Sequence, residues 1–124
     1  MRGWPKALRP RRGVEAGRVE FMQACAACHG ATGLGQGPVA PYLNVPVPGL
    51  TRLAAENGGV FPLLEVINII DGRGGLRTHG EPMPLWGETL GRSLRTERGP
   101  YAAEIIVRGR ILSIATYLAS IQEE

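Results

Sequence analysis

The chain has only two cysteines and two histidines in 124 residues, and aromatic residues make up 6%. Two cysteines cannot build a disulfide-stapled scaffold. No apolar run approaches the roughly 18 residues needed to span a membrane. The best candidate, Ile111 to Ile121, is 11 residues long and is flanked by Arg108, Arg110 and Glu123. The first residues, MRGWPKALRPRRG, are basic but lack the apolar stretch of a signal peptide. They also lack the interleaved aromatics of a nucleic-acid reader, since Trp4 stands alone among the arginines.

Backbone punctuation is abundant instead. Eighteen glycines and ten prolines leave little room for long regular elements. The size suits a single domain, and 44% hydrophobic residues is too apolar for a disordered chain. A loop-rich domain this small has a modest core and calls for a staple. The net charge of +3 is unevenly spread. Residues 1–18 hold six basic groups against Glu15, a net of +5, so residues 19–124 carry −2. Residues 1–13 read as an extended basic arm, with Pro5 and Pro10 inside it, and as a solvated tail rather than a nucleic-acid contact. Residues 14–124 read as the domain.

Helical periodicity runs from about Val14 to Cys28, with Val14, Phe21, Met22 and Cys25 on one face. Residues 30–49 read as a long ordered loop. Thr51 to Glu56 reads as a short helix capped by Thr51 and stopped at Asn57-Gly58. Phe61 to Asp71 has the β-branched content of a strand, but Pro62 and Gly72 at its ends favour a helix. Residues 72–100 read as a second loop. Pro100 opens a last helix to about Gln122, with Val107, Ile111, Ile114, Leu118 and Ile121 as its apolar stripe. Loops of this length in a small domain must wrap something.

Both cysteines lie in Cys25-Ala26-Ala27-Cys28-His29, the C-x-x-C-H pattern of c-type haem attachment. Two thiols three residues apart near a helix end can reach the two vinyl groups of one porphyrin, and the next residue then offers its imidazole to the iron. A shuffled chain of this composition produces the pattern roughly once in 4,000 times. A thioredoxin-like dithiol would instead open a helix after a strand. A zinc site would need Cys28 and His29, adjacent in sequence, to converge on one tetrahedral ion together with Cys25 and His79. For the far side of the iron, Met83 in Glu81-Pro82-Met83-Pro84 is the favoured ligand: its thioether is soft and the prolines stiffen its loop. His79 is the rival, and an open or labile position is a third reading.

With Cys25-x-x-Cys28-His29-Gly30, Gly33-x-Gly35-x-Gly37-Pro38, Met83-Pro84-x-Trp86-Gly87 and Tyr117-Leu118-x-Ser120-Ile121, the chain resembles the mono-haem class I c-type cytochromes of the bacterial periplasm over about residues 14–122. The resemblance implies an all-α class I cytochrome c fold, three to five helices wrapped around one covalently attached haem, with long Gly/Pro loops. It implies one haem c, with His29 and Met83 on the iron. It places the Pro38 carbonyl as acceptor for the His29 ring N–H, and Gly17 against Tyr117, with Phe21 one turn on, where the first and last helices cross. Trp86 reads either as an indole donor to a haem propionate or as packing against the haem. Tyr42 is a weaker propionate candidate, as are Asn44 and Arg77.

The implied function is electron transfer without catalysis: a monomer meeting redox proteins transiently at the haem edge, with no nucleic-acid partner and no stable membrane insertion. Haem attachment of this kind implies the periplasm, with a signal peptide outside these residues. Two other readings stay open. One is a haem-bearing subunit of a larger redox complex, suggested by the arginine-rich residues 88–100. The other is a small-ligand sensor or peroxidase-like protein with a labile Met83. Residues 88–100 and the basic arm depart from the family pattern.

Overall fold

The computed structural model describes residues 11–74 and 83–123. Among them there are helices, turns and loops but no strand, so the fold is all-α. The basic arm up to Pro10 lies outside the described residues, and so do Arg77, His79 and Glu81-Pro82. No described helix is long and apolar enough to cross a membrane. The chain divides into two compact units. The first combines described parts of Met1–Pro62 and Ser113–Glu124, and the second is Leu63–Leu112.

The first unit opens with α1, Arg11–Ala24, so the last three residues expected in the extended arm are helical. A turn at Cys25 joins α1 to the short α2, Ala26–His29. The helical hydrogen bonds run through that turn: Cys25 N–H to the Phe21 carbonyl at 2.8 Å, and His29 N–H to the Cys25 carbonyl at 3.0 Å. Gly30 ends the helix at φ 83°, ψ 156°, a conformation closed to residues with a Cβ.

Gly17 meets the last helix as expected. A Cβ there would fall on the Ser113 carbonyl and within 2.8 Å of the Tyr117 Cβ. The two backbones can close only because that Cβ is missing. Phe21, fully buried, fills the next turn and tilts against Tyr117, with ring centroids 5.4 Å apart. Removing such a ring typically costs about 3–5 kcal/mol.

Residues 51–57 form turns ending in one 3-10 turn, Ala55–Asn57, closed by Gly58 at φ 64°. The capped helix expected there is absent because Thr51 is used elsewhere. Its hydroxyl donates to Glu123 at 2.6 Å, and its carbonyl accepts from the Glu123 N–H at 2.7 Å. Beside it, the Gln122 amide accepts from the Ala54 N–H at 2.9 Å and donates to the Leu50 carbonyl at 2.6 Å. The chain end thereby clasps the exit of the loop.

In the second unit, α3 spans Leu63–Asp71 and buries Val66 and Ile70, one turn apart. The helical reading of this apolar stretch holds over the strand: its flanking Pro62 and Gly72 (φ 74°) outweigh its β-branched content. Residues 72–100 are not all loop. Helix runs over Trp86–Ser120, interrupted at Gly99 by φ 80°, ψ 163°. There are therefore two helices, α4 over 86–98 and α5 over 100–120. Trp86, Leu90 and Leu94 stand four apart, a helical spacing that Gly87 and Gly91 disguise. Pro100 does open a helix, as its missing N–H and fixed φ allow at a first turn. Val107, Ile111, Ile114 and Leu118 are all buried. At Gly91 a Cβ would stand 3.4 Å from a Val107 methyl, so α4 packs on α5 there.

An ion-pair network ties α3 to α5 within this unit. Arg73 holds Asp71 and Glu104, each at 2.7 Å, and Glu104 also takes Arg108 at 2.8 Å. Arg73 holds the Asp71 carboxyl below the usual carboxylate range, chiefly through their hydrogen bond.

Candidate functional site

Cys25, Cys28 and His29 sit on one continuous helical path, so their spacing is fixed by helix geometry. Both thiols are free. Cys25 is buried, and burial first, then the nearby Glu20 and Cys28, pushes its thiol up to about 12. That is opposite to the low pKa of a nucleophilic dithiol. His29 is only 5% exposed. Burial lowers the pKa of its imidazole, opposed by a hydrogen bond to Pro48.

That bond fixes the ring. His29 Nδ1 lies 3.1 Å from the Pro48 carbonyl. A carbonyl can only accept, so Nδ1 carries the proton and Nε2 keeps a free lone pair. The acceptor is therefore Pro48 and not Pro38, which corrects the expectation.

The reason is how the loop folds back. Gly35 N–H donates to the His29 carbonyl at 2.7 Å, and Leu50 N–H to the Gly33 carbonyl at 2.6 Å, so the two arms of the loop run side by side. Gly35 has φ 88°, and a Cβ there would collide with the Val47 carbonyl. Its absence lets the Val47-Pro48 backbone close over the imidazole. The stretch around Pro38 meets the motif through its neighbours' N–H groups instead: Gly37 to the Cys28 carbonyl at 3.0 Å and Val39 to the Ala27 carbonyl at 2.9 Å. Nothing in the sequence distinguishes one Gly/Pro pair, Gly37-Pro38, from the other, Pro48-Gly49.

Several side chains of the same loop are left uncovered. Leu34, Val39 and Val45 are all exposed, and Tyr42, at the end of the 3-10 turn Ala40–Tyr42, is 84% exposed. They belong to the loop whose backbone bonds to the His29, Cys28 and Ala27 carbonyls.

Met83 and Trp86 belong to the second unit. Met83 is half-buried in a bend just before α4. Trp86 starts α4 and its indole Nε1–H is buried with no acceptor among the described residues. A buried indole N–H normally finds a partner. Among the described residues no three His, Cys, Asp or Glu side chains converge to hold a metal ion. The structure brings together Cys25, Cys28, His29 and the loop from Gly30 to Leu50. His79 and Arg77 lie outside the described residues. Compared with family models, curated proteins and solved structures, the chain matches none of them.

Proposed function

We propose that the chain is a one-electron carrier of the class I cytochrome c type, holding a single haem c. The observation that carries this reading is His29. It directly follows C-x-x-C, it is buried, and its Nδ1–H is spent on the Pro48 carbonyl, so Nε2 is ready for a metal. The residues of the first unit fit the group: two free thiols for thioether bonds, one oriented imidazole, and a glycine-lined loop with uncovered apolar side chains.

The haem iron, when bound, cycles between ferric and ferrous and supplies the one-electron chemistry. Cys25 and Cys28 would tether the group. His29 would ligate the iron, and its bond to Pro48 would fix the ring plane and strengthen the ligand. Met83 would supply a soft sulfur ligand. Trp86 would direct its N–H to a propionate, and Leu34, Val39 and Val45 would exclude water. Such a chain transforms no substrate. It would meet redox proteins transiently and work in the periplasm, where attachment of this kind occurs.

A visible spectrum tests the ligand set. The ferric protein should be low-spin, with an iron–sulfur charge-transfer band that Met83→Ala abolishes. High-spin ferric iron at neutral pH in the unaltered chain would overturn Met83 as a ligand.

A further inference from the structure

The last helix carries two apolar faces. Ala103, Val107 and Ile111 form the buried one. Tyr101, Ile105 and Leu112 form another, together with Arg108, within about 60° of arc at 3.6 residues per turn and centred about 130° away from the first. These three side chains are 82%, 58% and 46% exposed, respectively, over about 16 Å of helix. A tyrosine and two aliphatic residues aligned in this way are what a helix presents to a partner's groove.

The charges nearby say what kind of partner. Residues 86–112 hold five arginines (92, 95, 98, 108, 110) against three glutamates (88, 97, 104), a net of +2. Glu88 is taken by Arg95 at 2.7 Å, and Glu104 by Arg73 and Arg108. Arg92 and Arg98 are exposed on α4 and make no ion pair among the described residues. Unspent guanidinium groups on α4 and an uncovered Tyr/Ile stripe on α5, in one segment of net charge +2, match carboxylates around an apolar groove. A second copy fits poorly, because a two-fold contact would bring two copies of the same net-positive segment together. A membrane surface also fits poorly. Three apolar residues spread over three turns are few for interfacial binding, and Glu97 and Glu104 share the segment.

We infer that the exposed face of α5, with Arg92 and Arg98 of α4, docks an acidic protein bearing an apolar groove. The inference uses the second unit alone and does not depend on the proposed cofactor.

To test it, a photo-cross-linking residue is placed at Ile105 of the full chain in its native cell, with Val19 of α1 as the control position. The protein joined at Ile105 is identified and purified, and its affinity for the unaltered chain is measured at low and moderate salt. Circular dichroism confirms that Arg92→Glu/Arg98→Glu and Tyr101→Ala/Ile105→Ala are folded. The expected result is an acidic partner, binding weakened about tenfold or more by each double variant, and a salt dependence flattened by the arginine changes. Four results would each overturn the inference: no adduct above the control, adducts only with a second copy, binding only to anionic phospholipid vesicles, or a partner indifferent to both variants.

Discussion

Residues 30–49 and residues 86–112 are both studded with glycine, yet they are held together in opposite ways. The first stretch contains no Asp, Glu, Lys, Arg or His and keeps its shape through backbone hydrogen bonds to the motif and to itself. The second is helical and carries eight charged residues, several locked in ion pairs. The glycines differ in kind as well. Gly30, Gly33 and Gly35 have positive φ, so they supply a conformation. Gly87 and Gly91 are helical and supply space beneath neighbouring side chains. Glycine thus shapes a loop in one region and permits close packing in the other.

The sharpest way to break that contrast is at Gly35. Gly35→Ala forces a Cβ into the left-handed region, at about 1–2 kcal/mol, and onto the Val47 carbonyl. We expect a total loss of about 3 kcal/mol in chemical denaturation, at the upper end of ordinary substitutions. Hydrogen exchange should speed up at Gly37 and Val39. An unchanged denaturation midpoint would mean that the loop closes without it.

Gly99→Ala comes next. It also meets a conformation reserved for glycine, but nothing stands within 4 Å of its Cβ. The cost should therefore be strain alone, about 1–3 kcal/mol, read as a lowered melting temperature.

Acid should act on the ion pairs that join α3 to the second of these regions. The Asp71 side chain is 19% exposed, and Arg73 lowers its folded pKa below its unfolded value. Its contribution is therefore complete above the unfolded pKa, near 4, and is lost as pH falls through the folded pKa. With solvent screening, the effect is about 1 kcal/mol or less. Asp71→Asn should flatten the fall in stability below about pH 4. If the fall is unchanged, the pair contributes nothing.

The smallest effect is expected at Gly91. There a Cβ meets the mobile end of Arg95 and, at 3.4 Å, Val107. Helix propensity should let Gly91→Ala stabilise α4 by up to about 1 kcal/mol. A loss as large as that at Gly35 would erase the distinction between the two kinds of glycine.

The sequence made some of this legible and hid the rest for physical reasons. α1, α3 and the buried stripe of α5 were readable because their apolar residues recur at helical spacing and their ends carry Pro or Gly. The Gly17–Tyr117 crossing was readable because small against large is a local rule of helix contact. α4 was masked, since a glycine kept for space looks the same in sequence as one kept for a turn. Pro48 could not be told from Pro38, because a backbone carbonyl leaves no residue-type signature and loop closure is a tertiary property. The clasp of Gln122 and Glu123 on Leu50, Thr51 and Ala54 escaped for the same reason: polar residues near a chain end carry no periodic signal.

The central claim is that Cys25 and Cys28 are attachment points held beside an imidazole already oriented by Pro48. The most direct test is the mass and haem stain of the denatured chain, made in cells that carry out c-type haem attachment. The account predicts a chain heavier by one haem, stained on a denaturing gel, with no free thiol, and with the stain lost in Cys25→Ala/Cys28→Ala. A colourless chain of unmodified mass with two titratable thiols would contradict it.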